Sequence, residues 1–186
     1  MVEQTLEWYQ QGNWPLIGAS LALLVTNSVV AWGIYTQVKA NLITQLKVKR
    51  IERLAEQLSG FYNPLFSLIL INQKLFKAAG PPSFPTDHIR RDTAGENWKL
   101  VLNKTIIPNN KIISQILRNN THLVAENDSI SNYHDLQLHL AMYEAFKEAP
   151  NEIYEQFQFP KKILRHVEIV REKLVLQFEN AQEDKK

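Results

Sequence analysis

The sequence contains no cysteine, so this chain can form neither a disulfide bond nor a thiolate metal site. It also has little net charge, because 21 Lys and Arg residues stand against 19 Asp and Glu residues and leave +2. A generally basic surface, which would favour nucleic acid as a partner, is therefore not expected. The lack of thiols is compatible with a reducing compartment such as the cytoplasm.

Charged residues are missing altogether from Trp14 to Val38, a stretch of 25 positions dominated by Leu, Val, Ile and Ala. About 22 helical residues extend roughly 33 Å, enough to cross a hydrocarbon core ~30 Å thick. The core helix of a soluble protein is usually shorter, and a cleaved signal peptide begins with a positive segment, whereas here Glu3 and Glu7 come first. We therefore predict one transmembrane helix over residues 14–38.

The distribution of charge predicts the orientation of this helix. Residues 1–13 carry no Lys or Arg, so they are predicted to form a short extracytoplasmic tail. Under the positive-inside rule, the cations that follow the span place residues 39–186 in the cytoplasm. The residues predicted to contact the membrane surface are Lys39, Lys47, Lys49, Arg50 and Arg53.

One face of the span favours self-association. Gly18, Ala22, Thr26 and Gly33 lie near one stripe, and small residues let helix backbones approach closely. The amide of Asn27, near mid-span, needs a polar partner in lipid, and with a single span that partner belongs to another chain. A homo-oligomer is the prediction. A polar residue tolerated in an ordinary anchor is the open alternative.

The remaining chain reads as helices, so the predicted fold is all-α: one N-terminal transmembrane helix continuing into a cytoplasmic helical bundle. We predict a juxtamembrane amphipathic helix over 39–60, a helical domain over 61–180 and a tail over 181–186. Gly60 and Pro64 predict a kink or a restart of the helix, with Asn63 as the N-cap, and Pro108 predicts another kink or restart. Residues 80–95 are predicted to form an irregular loop because of their Pro and Gly content. A helix near 133–148 and a last one after Pro160 complete the domain.

Motifs for chemistry are scarce. The five histidines show no spacing that would suit a metal, and neither a phosphate-binding glycine loop nor a nucleophile motif occurs. We predict no metal and no cofactor. Arg118 and His122 are weak catalytic candidates: four positions apart on a continuing helix, they would share a face and could act on RNA phosphate. The competing interpretation is that Arg118 and the asparagines after it form a helix C-terminus.

The layout, together with FYNPL at 61–65, IPNNKII at 107–113 and RNNTHL at 118–123, resembles small single-span bacterial membrane proteins. It also resembles the membrane accessory effector of type VI-B CRISPR systems, which has a divergent HEPN-like domain and assembles as an oligomeric pore. The HEPN signature places more residues between its Arg and His than the three that separate Arg118 from His122. The resemblance implies a bacterial inner-membrane protein with a role in antiphage defence.

The predicted function is that of a non-enzymatic, self-associating inner-membrane protein, with the membrane and a second copy as partners. Two alternatives remain open at this stage. The chain could be a passive anchor that holds a cytoplasmic protein partner at the membrane. It could also carry a HEPN-like RNA-binding or nuclease domain, which leaves nucleic acid undecided as a partner.

Overall fold

A computed structural model describes residues 14–146 and 156–183 of the chain. Within these ranges the regular structure is entirely helical and no strand is present, which confirms the all-α prediction. The α-helices are α1 (Trp14–Gln57), α2 (Asn63–Ala79), α3 (His88–Val101), α4 (Ile107–Asn119), α5 (His134–Phe146) and α6 (Ile163–Glu183). Two π-helical turns join them: the first π-turn spans Leu58–Tyr62 and the second π-turn Leu102–Ile106.

Helix α1 is unusually long and apolar. It runs without interruption over 44 residues. Its most apolar segment of 18 residues has a mean hydropathy of 1.7, and none of that segment is buried. By length and composition, one helix near the N-terminus is able to cross a membrane. The chain divides into two compact units, with the boundary between Lys49 and Arg50.

The second unit is a helical domain with one hydrophobic core. Its innermost side chains are Phe61 and Tyr62 of the first π-turn, which are fully buried. In α6, Ile163, Val167 and Leu174 are buried. Other fully buried side chains are Leu65 and Ile69 of α2, Ile113 and Leu117 of α4, Tyr133, and Leu136 of α5.

Both prolines that predicted a kink or restart lie at the second residue of an α-helix, Pro64 in α2 and Pro108 in α4, and each of these helices follows a π-turn without a break. Each π-turn ends two residues before a proline, Pro64 in one case and Pro108 in the other. A proline ring clashes with the carbonyl four residues earlier in an α-helix, and the wider π-turn gives that carbonyl room. The expected N-cap at Asn63 is wrong, because Asn63 is helical and its N–H donates to the Leu58 carbonyl.

The predicted loop over 80–95 is wrong in its second half. Helix α3 begins at His88, and only residues 80–87 are irregular or 3₁₀-helical. Proline is confined to that first part, and the charges after it pair at helical spacing, with Asp87 and Arg90 at 3.8 Å and Glu96 and Lys99 at 2.8 Å. Helix α3 buries none of its own residues.

Candidate functional site

The polar contacts of the helical domain converge on Asp128, in the connection between α4 and α5. Its side chain is fully buried, and both of its oxygens accept hydrogen bonds. The Oδ2 atom accepts from the phenols of Tyr133 at 2.6 Å and Tyr62 at 2.9 Å. Three donors reach Oδ1 at 2.8–2.9 Å: the Ser129 backbone N–H, the Asn132 amide and Nε2 of His166. We call these side chains the Asp128 cluster.

The electrostatics of the Asp128 cluster favour a buried anion. Burial by itself raises the pKa of Asp128, but hydrogen bonds from Tyr133, Asn132, Tyr62 and His166 outweigh it and hold that pKa below its ordinary value. Burial and the neighbouring carboxylate raise the pKa of both tyrosines, which remain neutral donors. Five donors occupy the carboxylate, so it is not available as a base or a metal ligand.

The Asp128 cluster ties several elements together. Tyr62 comes from the first π-turn, Tyr133 from the turn that leads into α5, and His166 from α6. The Tyr62 hydroxyl also accepts the Ala125 N–H at 3.0 Å. The ring of Phe61 stacks edge-on against Tyr133, with 5.3 Å between ring centroids. The cluster therefore fixes the connection after α4 against the start of the domain.

A second contact, which we call the Gly60 joint, joins the same connection to the first π-turn. The Asn120 side-chain amide donates to the Gly60 carbonyl at 2.8 Å. A Cβ at Gly60 would stand 2.6 Å from Cδ1 of Leu123, so any larger residue at position 60 requires the Leu123 side chain to move. In addition, the Arg53 guanidinium donates to the His122 carbonyl.

The Gly60 joint has its origin in Pro64. In an α-helix the carbonyl of Gly60 would accept the N–H of residue 64, and proline has no N–H. The Asn120 amide supplies the missing donor from a distant part of the chain. The motifs FYNPL and RNNTHL, which the sequence presents as separate signals, thus meet as two halves of one joint.

Helices α2 and α4 are joined by a set of asparagines. The buried Asn72 donates to Oδ1 of Asn110 at 2.9 Å and accepts from Nδ2 of Asn109 at 2.8 Å. Both polar atoms of the Asn72 amide are therefore satisfied, as burial requires. This contact accounts for the asparagines of the IPNNKII motif, which follow Pro108.

No family model, curated protein or solved structure matches the chain. The function must therefore follow from the chemistry of these residues and of α1.

Arg118 and His122 do not share a helix face. Helix α4 ends at Asn119, so Arg118 lies in its last turn and His122 in the 3₁₀ turn Thr121–Leu123. Both side chains are exposed. The interpretation that fits is that Arg118 and the asparagines after it form a helix C-terminus. Asn120 has φ −113°, so it does not adopt the left-handed conformation that commonly ends a helix. Within the described ranges no group of three or more His, Asp or Glu residues is placed to hold a metal.

In the span, the candidate self-association residues all lie on exposed helix, and a Cβ at Gly18 or Gly33 would meet nothing within 4 Å. Thr26 donates its hydroxyl to the Ala22 carbonyl, and Ser28 donates to Leu24, both at 2.8 Å. The Asn27 amide forms no such bond to any described residue. Asn27 is thus the polar side chain near mid-span whose hydrogen-bonding groups remain open.

Of the five predicted membrane-surface cations, Arg53 has a different role in the structure, since it bonds to His122 within the domain. Lys39, Lys47, Lys49 and Arg50 are exposed. The sequence does not predict the Asp128 cluster, because residues 126–132 have only the polar composition of a turn. The residues of that turn gave no signal that one carboxylate would be buried among tyrosines distant in sequence.

Proposed function

We propose that the chain is a single-pass inner-membrane protein without enzymatic activity, whose helical domain folds on the cytoplasmic side. The observation that carries this is the exposure of the uncharged part of α1, where Leu16, Leu24 and Val29 are each 63–65% exposed. Burying one such side chain is worth about 1.5–3 kcal/mol, so a helix with this many of them needs an apolar solvent. Lipid is the solvent that fits a helix of this length.

Cell fractionation tests the membrane assignment. The intact protein is expected in the pellet after high-speed centrifugation, and it should remain there after an alkaline wash. Only detergent should release it. Recovery in the supernatant without detergent would overturn the proposal. A reporter fused after Lys186 tests orientation, and activity of a periplasmic reporter at that position would contradict the cytoplasmic placement.

Self-association through the span is the second part of the proposal. The open amide of Asn27 supports it, because an amide in hydrocarbon gains from an interhelical hydrogen bond, worth about 0.6–2 kcal/mol. The mass of the detergent-extracted protein tests it, with an oligomer expected. Asn27→Leu should shift the equilibrium toward monomer, whereas Ser28→Ala should not, since the Ser28 hydroxyl already bonds to Leu24.

A role in antiphage defence enters this proposal from the sequence resemblance alone. We expect cells that express the protein with a CRISPR effector of the same type to resist phage better than cells with the effector alone. Asn27→Leu should reduce that gain if the oligomer acts on the membrane. Equal plaque counts with and without the protein would remove the defence role and leave the membrane assignment standing.

The function of a passive anchor is a second candidate, favoured by α3. That helix buries none of its residues and leaves Ile89 79% and Leu100 55% exposed, which suits a protein partner. Ile89→Asp should release a partner that co-purifies with the parent, and Thr93→Ala, on the same helix, should retain it.

The nuclease alternative has less support, because α4 ends before His122; RNA cleavage lost on His122→Ala would revive it.

A further inference from the structure

The part of α1 that follows the uncharged stretch is amphipathic in an unusual way. Leu42, Ile43 and Leu46 remain 47–58% exposed although the lysines around them mark the end of the span. With about 100° per helical residue, they fall in one arc of ~100° together with three residues nearer the span. We call this arc the docking face: Trp32, Tyr35, Lys39, Leu42, Ile43 and Leu46.

The opposite side of the same helix has a different chemistry. A second arc of ~100°, whose centre lies about 160° from that of the docking face, contains Ile34 and, after it, four residues as far as residue 46: Gln37, Asn41, Thr44 and Gln45. These four side chains are polar and uncharged, and the Thr44 hydroxyl is already bonded to the Ala40 carbonyl. Apolar, aromatic and cationic groups therefore share one side, which is the composition of a helix face at a membrane interface.

We propose that the docking face lies against the anionic inner leaflet and holds α1 at a steep tilt; this rests on the proposed membrane function. Residues Pro15–Leu46 extend about 48 Å, which exceeds a ~30 Å hydrocarbon core. At the upper end of observed tilts, about 40°, the core takes up ~39 Å of helix and the headgroup layer the rest. The tilt brings Leu42 and Leu46 to headgroup depth.

Charge favours lipid over a second copy as the occupant of this face. No acidic residue occurs between Trp14 and Ile51, and Lys39 lies near the middle of the docking face. In a parallel pair of identical helices the two Lys39 ammonium groups would face each other in the seam, which is unfavourable. Anionic headgroups supply the opposite charge, and Trp32 with Tyr35, whose rings are 6.2 Å apart, supplies the aromatic anchor.

The absence of cysteine allows single labelling sites to be introduced on the full-length chain. Environment-sensitive fluorophores at Leu42→Cys and Leu46→Cys report the docking face, and those at Asn41→Cys and Gln45→Cys report the opposite face. The protein is reconstituted into vesicles of phosphatidylcholine alone or mixed with phosphatidylglycerol. In the anionic vesicles we expect several-fold stronger quenching by headgroup-labelled lipid at 42 and 46 than at 41 and 45. Lys39→Gln should reduce that difference.

Equal quenching on both faces in anionic vesicles would overturn the proposal. Self-quenching at 42 and 46 that disappears when the protein is diluted with lipid would also overturn it and would assign the face to a second copy. A label at Leu24→Cys separates this from failure of the proposed function. If Leu24→Cys is open to a water-soluble quencher, the span itself is wrong; if it is shielded while 42 and 46 are open, only the docking fails.

Discussion

Through its side-chain hydrogen bonds, Asp128 connects the first π-turn, the turn before α5 and helix α6. Removing its charge while keeping its shape, as in Asp128→Asn, would place an NH₂ group against phenol or imidazole donors that now bond to the carboxylate. Losing a hydrogen bond to a charged group costs about 1.5–3 kcal/mol. Urea unfolding of a fragment of residues 50–186, in which Trp98 is the only tryptophan, measures the loss by fluorescence, with Glu126→Gln, exposed in the same connection, as the control. A loss below about 1 kcal/mol would contradict the role given to the cluster.

The same residue predicts a pH dependence. The donors around Asp128 hold its folded-state pKa below the ordinary value, so its ionised form contributes stability that is present above about pH 4 and is lost as pH falls through the folded pKa. The free-energy difference between the parent and Asp128→Asn should therefore be constant near neutrality and shrink in acid. Unfolding curves over a pH series check this, and a difference that grows in acid would reverse the sign we assign.

At the scale of elements, the first π-turn, Pro64 and Asn120 act as one unit. With Pro64 in place, Asn120→Ala leaves the Gly60 carbonyl without its donor, which costs about 1–3 kcal/mol. In Pro64→Ala the new backbone N–H can bond to that carbonyl, so Asn120→Ala should cost less. A double-mutant cycle by chemical unfolding measures this coupling. Equal costs in both backgrounds would mean that the amide does not replace the N–H missing at proline.

The faces of α1 predict the form that the proposed self-association would take. Asn27 lies about 100° around the helix from Thr26 and ~120° from Gly33, so one pairwise interface cannot use both. A ring, in which each helix meets two neighbours through different faces, can use both. Gly33→Leu and Asn27→Leu should then each lower the detergent-extracted mass, with Leu21→Val as the control. An effect of Gly33→Leu alone would point to a dimer through the small residues.

The elements differ in how far the sequence predicts them. The long uncharged run was sufficient to predict the first part of α1, and the helix after Pro160 was predicted as well. The π-turns were not predictable, since Pro64 and Pro108 stop a helix unless tertiary contacts such as that of Asn120 satisfy the freed carbonyl. The start of α3 at His88 was missed because Pro and Gly nearby outweighed charge pairing at helical spacing.

At the scale of the whole molecule, the sequence separates an apolar helix from a helical domain. It does not reveal which contacts hold the helices of that domain together. The motifs at 61–65, 107–113 and 118–123 stand out by their composition. A catalytic role is one interpretation of such motifs. The structure gives them another purpose, because Asn120, Asn109 and Asn110 satisfy groups on distant helices. Such pairings depend on three-dimensional proximity, which one sequence does not encode in any local pattern.

The two units predict that the helical domain folds without the span. Every member of the core cluster lies between Leu54 and Ala181, so none comes from the unit that ends at Lys49. A fragment of residues 50–186 retains Arg53 and its bond to His122, and should be soluble and unfold in a single cooperative transition. Circular dichroism checks this, with a fragment that starts at residue 59 for comparison. That fragment lacks the buried Leu54 and Leu58. It should be less stable by several kcal/mol, since each buried leucine contributes about 2–5 kcal/mol. Aggregation of the longer fragment would show that the domain needs α1 in full.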